Sequence, residues 1–278
     1  MKKVVLVLII LLILFIGTFL YARFIGTKGL KVKEYKIVNS KITNDYYGLK
    51  IVHLSDIHFG TINTKELEKI VEKVNYIEPD IIVLTGDLLS EKTYSKEELI
   101  NTLSKLESKL GKFAISGNHD IIEEYEDIID KIGFTNLNNS YELIYQSKEP
   151  IIISGMSSNL IDSNINSKVE KFNDYMNSLT EDDVKPIYSI LLIHEPDYID
   201  KIDLTNYDLV LGGHSHAGQV RLPLIGKIIT PNGSKKYYNE YYKVDNKDFY
   251  ISSGIGTSVM KVRLFNKPSF NFYRITNK

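Results

Sequence analysis

Asp80-Ile81-Ile82-Val83-Leu84-Thr85-Gly86-Asp87 is an almost wholly apolar run that ends on a glycine and a carboxylate. A short apolar run without polar alternation is what a strand buried on both faces requires, and Pro79 stops the helical pattern before it. Upstream, residues 63–78 place Leu67, Ile70, Val71, Val74 and Ile77 at helical spacing, and residues 51–54 (Ile-Val-His-Leu) run into Ser55-Asp56. Downstream, residues 96–110 are again helical by pattern with Gly111 as their stop, and residues 112–115 lead into Ser116-Gly117-Asn118-His119-Asp120. The unit of strand, polar loop and helix therefore recurs, which predicts parallel strands joined by helical crossovers.

From about residue 134 the texture changes to short strand-like runs at 141–145, 151–154, 187–194 and 208–212, with a helix around 168–178. Further strands are expected at 219–222, 227–230, 249–253 and 270–275. No internal repeat is present. The economical architecture is α/β, a two-sheet sandwich flanked by helices, preceded by one N-terminal transmembrane helix. The expected division is a membrane anchor at 1–25, a linker and start of domain at 26–47, and one catalytic domain at 48–278. A chain of 278 residues with 43% hydrophobic content can bury the core this needs.

Thirty-four basic residues against 35 acidic ones create no overall field, and no long basic run occurs in the soluble part, so no nucleic acid is expected as partner. Cysteine is absent, which excludes disulfides and thiolate metal sites and leaves histidine, carboxylate and amide groups to hold any metal.

Residues 4–22 form an uncharged apolar run. At about 1.5 Å per helical residue it reaches across a bilayer core of roughly 30 Å. A cleaved signal peptide is the rival reading, with Ala22 at the end of a cleavage site, but Leu20 stands where a small residue is needed. Lys2 and Lys3 favour an inside N-terminus, whereas Arg23, Lys28, Lys31, Lys33 and Lys36 pull the other way. The expectation is a single-pass protein of the cell membrane with an extracytoplasmic catalytic domain.

Of six histidines, five lie just after strand-like runs, beside aspartate, asparagine or glycine. Ligands of open α/β sheets bind at the carboxyl ends of strands, so Asp56 and His58, Asp87, Asn118 and His119, His194, and His214 and His216 are expected to converge on one crevice. Imidazoles, carboxylates and an amide oxygen suit two divalent ions of manganese, iron or zinc. A carboxylate such as Asp87 can bridge ions about 3.5–4 Å apart, the separation used for in-line displacement at phosphorus. Gly86 leaves room, and Gly117 lets the backbone come close. His53, inside the first strand, is expected to stand apart from this crevice.

These residues resemble a known family. Asp56-x-His58, Gly86-Asp87, Gly117-Asn118-His119-Asp120, His194 and Gly213-His214-Ser215-His216 are similar, in order and spacing, to the five metal motifs of the calcineurin-like metallophosphoesterases, over roughly residues 48–275. Serine at 215 is often threonine there. The resemblance implies that Asp56, His58 and His216 hold one metal, Asn118, His194 and His214 the other, and that Asp87 bridges them. It implies that His119 is a catalytic non-ligand that helps the leaving oxygen depart, with Asp120 orienting its ring. The anchor, the stretch Gly218-Gln219-Val220-Arg221-Leu222-Pro223, and Gly254-Ile255-Gly256-Thr257-Ser258 with Arg263 resemble a bacterial membrane-associated branch, although Lys261 replaces a proline expected there.

The implied activity is hydrolysis of a phosphodiester or pyrophosphate by metal-bound hydroxide, with a phospholipid or nucleotide-sugar lipid as one class of phosphate-ester substrate. The alternatives are a phosphomonoesterase or protein phosphatase, and a catalytically silent, metal-dependent membrane scaffold. Tyr237, Tyr238, Tyr241 and Tyr242 are read as packing a sheet edge, Asn232-Gly233 as a turn, and Lys235 with Lys236 as a solvated face.

Overall fold

The computed structural model describes residues 2–90, 94–158, 165–181 and 185–278. Helix α1 (Lys2–Phe24) carries no polar face and, apart from Ala22, leaves its apolar side chains outside the protein core. It is followed by β1 (Lys31–Val38), β2 (Leu49–Leu54), α2 (Thr64–Ile77), β3 (Ile81–Thr85), α3 (Lys96–Leu103), β4 (Gly111–Ile115), α4 (Tyr125–Lys131) and β5 (Thr135–Asn136). Then come β6 (Ser140–Ile144), β7 (Ile151–Gly155), α5 (Ile165–Glu181), β8 (Tyr188–Leu192), β9 (Leu209–Gly212), β10 (Arg221–Leu222), β11 (Gly226–Lys227), β12 (Tyr241–Val244), β13 (Lys247–Ile251) and β14 (Ser269–Thr276).

Two six-stranded sheets result, ordered β1-β14-β2-β3-β4-β5 and β12-β13-β9-β8-β7-β6. Strands β2 to β5 are mutually parallel, as are β7, β8, β9 and β13, and antiparallel pairs occur at β14 with β2, β6 with β7, and β12 with β13. The parallel centre agrees with the apolar runs at 80–84 and 187–194, since strands covered on both faces show no alternation. Between the sheets pack Ile51, Val83, Ile115, Ile153, Ile190, Leu211 and Tyr273. The outer face of the first sheet is covered by α2, α3 and α4 through Leu67, Val74, Leu99 and Ile128, and that of the second by α5 through Val169 and Phe172. The layers are thus α/β/β/α.

Helix α2 begins where Asn63 and Glu66 close a reciprocal capping box, and ends at Glu78 in a left-handed conformation before Pro79. Helix α3 is shorter than the pattern over 96–110 suggests. Leu106 still enters the core, but the Asn75 side chain takes the backbone of Lys105 and Glu107, at 2.8 and 3.1 Å, in place of further helical bonds. The stretch 26–47 contains β1, which pairs in parallel with β14 along its whole length. Tyr241 and Tyr242 lie in the edge strand β12, and Tyr237 is buried against Phe249, so the tyrosine run packs a sheet edge.

Candidate metal centre

Every group of residues singled out in the sequence follows the carboxyl end of a parallel strand. Asp56 and His58 follow β2, Asp87 follows β3, and Asn118, His119 and Asp120 follow β4 in one sheet; His194 follows β8, and His214 and His216 follow β9 in the other. The two sheets present these ends to one another, and the loops meet there.

The backbone bends sharply to do this. Asp56, His58, Asp87, His214 and His216 all have positive φ, between 45° and 61°. Such a conformation is uncommon for any residue with a Cβ, although Asp and His tolerate it better than most, and strain of this kind collects where a site requires it. Glycines supply the clearance. A Cβ at Gly117 would collide with the Asp87 carboxylate, and one at Gly213 with Ser55 Oγ.

Asp87 Oδ2 lies 3.5 Å from His58 Nε2 and 3.3 Å from His194 Nε2. On the other side, Asp56 Oδ1 is 3.4 Å from His216 Nε2, which is 3.3 Å from His58 Nε2. Three sets of donor atoms fall within 4.8 Å of one another: Asp56 with His58 and His216, His58 with Asp87 and His119, and Asp87 with His194 and His214. Asp87 is shared between two of them.

The donors fit a metal centre by a further observation. Asn118 Oδ1 is buried with no hydrogen-bond partner, and the buried His194 Nε2 faces only the Asp87 carboxylate at 3.3 Å, so both are atoms that a bound ion would satisfy. The far nitrogens are fixed instead. His194 Nδ1 donates to the Thr85 carbonyl and His214 Nε2 to the Asn232 carbonyl, both at 2.7 Å, so the nitrogen left to meet an ion is Nε2 in His194 and Nδ1 in His214. Burial pulls the His194 ring down, but the Asp87 carboxylate beside it holds it well above the ordinary imidazole range, so an ion bound there would displace its Nε2 proton. Asp56 accepts from the His214 amide at 3.0 Å and from Ser55 Oγ at 2.5 Å, and Asp87 Oδ1 accepts from the His119 amide at 2.9 Å.

Burial governs the charges. It pushes His58 down to about 4, His214 down to about 3 and His216 well below the ordinary imidazole range, which keeps these rings in the neutral form that binds metal. Burial, helped by the neighbouring Asp87 charge, pushes the Asp56 carboxyl up to about 7. Burial acts the same way on Asp87, but His194, His58 and His119 around it hold it below the usual carboxylate range. An acid raised by a second buried carboxylate is a site short of positive charge, which divalent ions would supply.

His119 is half-buried, and its ring lies edge-on to His58 with centroids 5.0 Å apart. Asp120 is buried, and its two oxygens accept from the Gly117 amide at 2.8 Å and the Leu89 amide at 3.0 Å. It therefore holds the loop that carries Asn118 and His119. His53 lies behind the site, between Thr85 Oγ1 at 2.7 Å and Tyr273 Oη at 3.2 Å.

The residue pattern assigns no role to three residues that build the site. Arg263, fully buried, places Nη2 3.2 Å from His216 Nδ1 and donates to the carbonyls of Ser253, Gly254 and Gly256. Asn266 Nδ2 donates to the His216 carbonyl at 2.6 Å, and Asn232 acts through its main chain. A run of loop residues with no apolar period gives no signal for such roles.

The family model described as calcineurin-like phosphoesterase matches residues 49–218, from β2 through the His214 and His216 loop. The chain belongs to that family. Two curated relatives are uncharacterized metallophosphoesterases of Bacillus subtilis (strain 168). YkuE is 31% identical over 93% of this chain and 90% of its own length, and YkoQ is 28% identical over 97% and 99%. A transmembrane protein with metallophosphoesterase domain from Danio rerio is 27% identical over 85% of this chain and 55% of that protein. Among solved structures, that of TT1561 of Thermus thermophilus covers 73% of this chain and 88% of its own, at 15% identity and a TM-score of 0.48. As a member, this phosphoesterase is a hydrolase of phosphoric esters that depends on divalent metal, and its Asp and His clusters suit such ions.

Proposed function

We propose that the phosphoesterase hydrolyses a phosphodiester or pyrophosphate bond at a centre of two divalent ions. The observation that carries this reading is the buried donor sets that share Asp87, with the unpartnered Asn118 Oδ1 on a loop of one of them. Asp56, His58 and His216 would hold one ion, Asn118, His194 and His214 the other, and Asp87 both. Manganese, iron and zinc all accept this donor set. Bound there, the ions would polarise phosphoryl oxygens and acidify a coordinated water.

The chain's own groups do the rest. The His119 ring, beside His58 and only half-buried, would meet a phosphoester and protonate its leaving oxygen. Asp120 positions it by fixing the loop through the Gly117 and Leu89 amides. Helix α1, with 23 residues or about 35 Å of helix, would anchor the chain in the cell membrane as a single span, with residues 48–278 as the catalytic domain, outside the cytoplasm. A substrate carried on a lipid fits such an anchor. An intact donor set gives no support to the silent scaffold.

The test is hydrolysis of a chromogenic phosphodiester and of its matching monoester by the full-length protein in detergent, after chelation and after return of manganese. Metal-dependent turnover of the diester in excess of the monoester supports the reading. Turnover of the monoester alone would replace it with a phosphomonoesterase.

A further inference from the structure

Helix α1 does not hang from the catalytic domain on a free linker. The Arg263 amide donates to the Ala22 carbonyl at 2.9 Å, Arg23 Nη1 reaches the Lys261 carbonyl at 3.3 Å, and Lys267 Nζ lies 3.2 and 3.1 Å from the carbonyls of Ile25 and Lys28. Ala22 packs with Val262 and Leu264, and Gly26 sits so close to the Arg263 carbonyl that no Cβ would fit. The end of the apolar helix therefore fixes which face of the domain meets a bilayer.

That face is apolar at its tips. Beyond α1, the five most exposed aliphatic or phenylalanine side chains among the described residues are Leu224, Val259, Ile229, Ile225 and Phe265, at 108%, 88%, 77%, 73% and 68%. Val259 and Phe265 flank the segment that grips the helix, and Leu224, Ile225 and Ile229 belong to the adjoining hairpin, whose Val220 and Leu222 pack against the same Ala22 cluster. Leu224 and Ile225 form the tip of the β10–β11 hairpin, which the Arg221 amide ties to the Leu264 carbonyl and the Ile228 amide to Val220. The loop of Val259 and Met260 is tied to the same place through the Gln219 side chain, which reaches the carbonyls of Met260 and Val262, both at 2.9 Å. Leu224 and Phe265 have φ of 68° and 52°, a strained conformation for bulky side chains that stay largely exposed. Exposed apolar tips gathered on loops that are bonded to one another mark an interaction surface.

Its charge selects the partner. Residues 17–33, 218–236 and 256–268 contain no aspartate or glutamate, although the whole chain is nearly neutral. Among the described residues, Arg23, Lys28, Lys227, Lys261 and Lys267 form no ion pair. Apolar tips amid unpaired cations fit an anionic bilayer surface, where the tips enter the acyl boundary and the cations meet headgroup phosphates. A protein partner that buried this face would have to come between it and the membrane-bound helix.

The same loops reach into the metal centre. Asn232, beyond the hairpin, takes His214 Nε2, Asn266 beside Phe265 holds the His216 carbonyl, and Gly254 and Gly256 sit against Asp56 and His58. We infer that the β10–β11 hairpin tip, the Val259–Met260 loop and Phe265 dock on an anionic bilayer around the end of α1, and so hold the metal centre at the headgroup layer. This rests on the anchoring of α1 proposed above, and it makes the substrate a phosphoester presented within that layer.

The chain has no cysteine, so single labels can be placed in the full-length protein. An environment-sensitive fluorophore on Leu224→Cys, Val259→Cys or Phe265→Cys is read in nanodiscs of mixed anionic and neutral phospholipid, with a quencher carried on the lipid. Ile13→Cys reports insertion of α1, and Tyr76→Cys, exposed on α2, reports a face turned to water. Docking gives at least twofold lipid quenching at all three tips, none at Tyr76, and a weaker effect when the anionic lipid is left out. Quenching at Ile13 with the three tips as wet as Tyr76 overturns the docking surface while leaving the anchor. Absence of quenching at Ile13 overturns both. Tips shielded from water yet untouched by the lipid quencher would assign the face to a protein and overturn the proposal. No turnover enters the readout, so it stands or fails separately from the hydrolytic reading.

Discussion

His214 Nε2 donates to the main-chain carbonyl of Asn232 at 2.7 Å, which leaves Nδ1 as the nitrogen with a lone pair. The loop that follows the β10–β11 hairpin thus sets the tautomer of a ring in the site. Because the contact uses backbone, Asn232→Ala should keep metal content and turnover within about twofold of the parent. His214→Ala should weaken metal binding beyond the roughly 10–100-fold that follows loss of an outer partner of a ligand. Metal analysis after dialysis separates the two, and equal losses in both variants would show that the Asn232 side chain matters.

Gly117 has no room for a methyl group. A Cβ there would collide with the Asp87 carboxylate and amide, inside a fully buried region where neither can retreat. Gly117→Ala should lower stability by about 1–3 kcal/mol, as overpacking does, and cut metal affinity at least tenfold by displacing the shared carboxylate. Thermal unfolding with and without added manganese reads both effects.

Much of this centre is legible in the sequence because its parts are local. The run at 80–87 is apolar on both faces and ends at a carboxylate, and the same grammar recurs at residues 112–120, so position after a strand is enough to single out Asp87 and Asn118. What escapes is non-local. Strand β1 hides among Lys31, Lys33 and Lys36 because only Ile37 is buried, and what holds it is pairing with β14 at the far end of the chain. Arg263 gives only a family likeness, since nothing in a sequence says that a guanidinium will be wholly enclosed by carbonyls. The pattern overextends helix α3 because Leu103, Leu106 and Leu110 continue the helical spacing, while the Asn75 side chain that interrupts it comes from another helix.

His53 gives the fold a dependence on pH that belongs to the core and not to the metal ligands. Burial pushes its ring down to about 3, from an ordinary value near 6.5 in the unfolded chain. A group held below its unfolded value adds stability above about pH 6.5 and loses it as pH falls towards its folded value. From pH 7 to pH 5 that loss is roughly 2 kcal/mol. His53→Gln, which can still bond Thr85 Oγ1, should be less stable at pH 7 but lose less between pH 7 and 5. Unfolding of the metal-free proteins at the two pH values gives the difference, and parallel slopes would assign the acid sensitivity elsewhere.

His119 and Asn118 are chain neighbours with opposite expected phenotypes, and that contrast is the sharpest check on the assignment. The Asn118 carbonyl oxygen is buried without a partner, so Asn118→Ala should lose metal first and activity as a consequence. The His119 ring is half-buried beside His58, and its amide already holds Asp87 Oδ1 through the main chain, a bond that His119→Ala retains. That variant should keep its metal and lose about 10²–10⁴ in turnover, the range of a general acid. The loss should be smaller for a substrate whose leaving group is already acidic, such as a nitrophenol, because such an oxygen departs without a proton. A His119→Ala protein that loses metal in step with activity would instead make His119 a ligand, in keeping with its closeness to the His58 and Asp87 donor atoms.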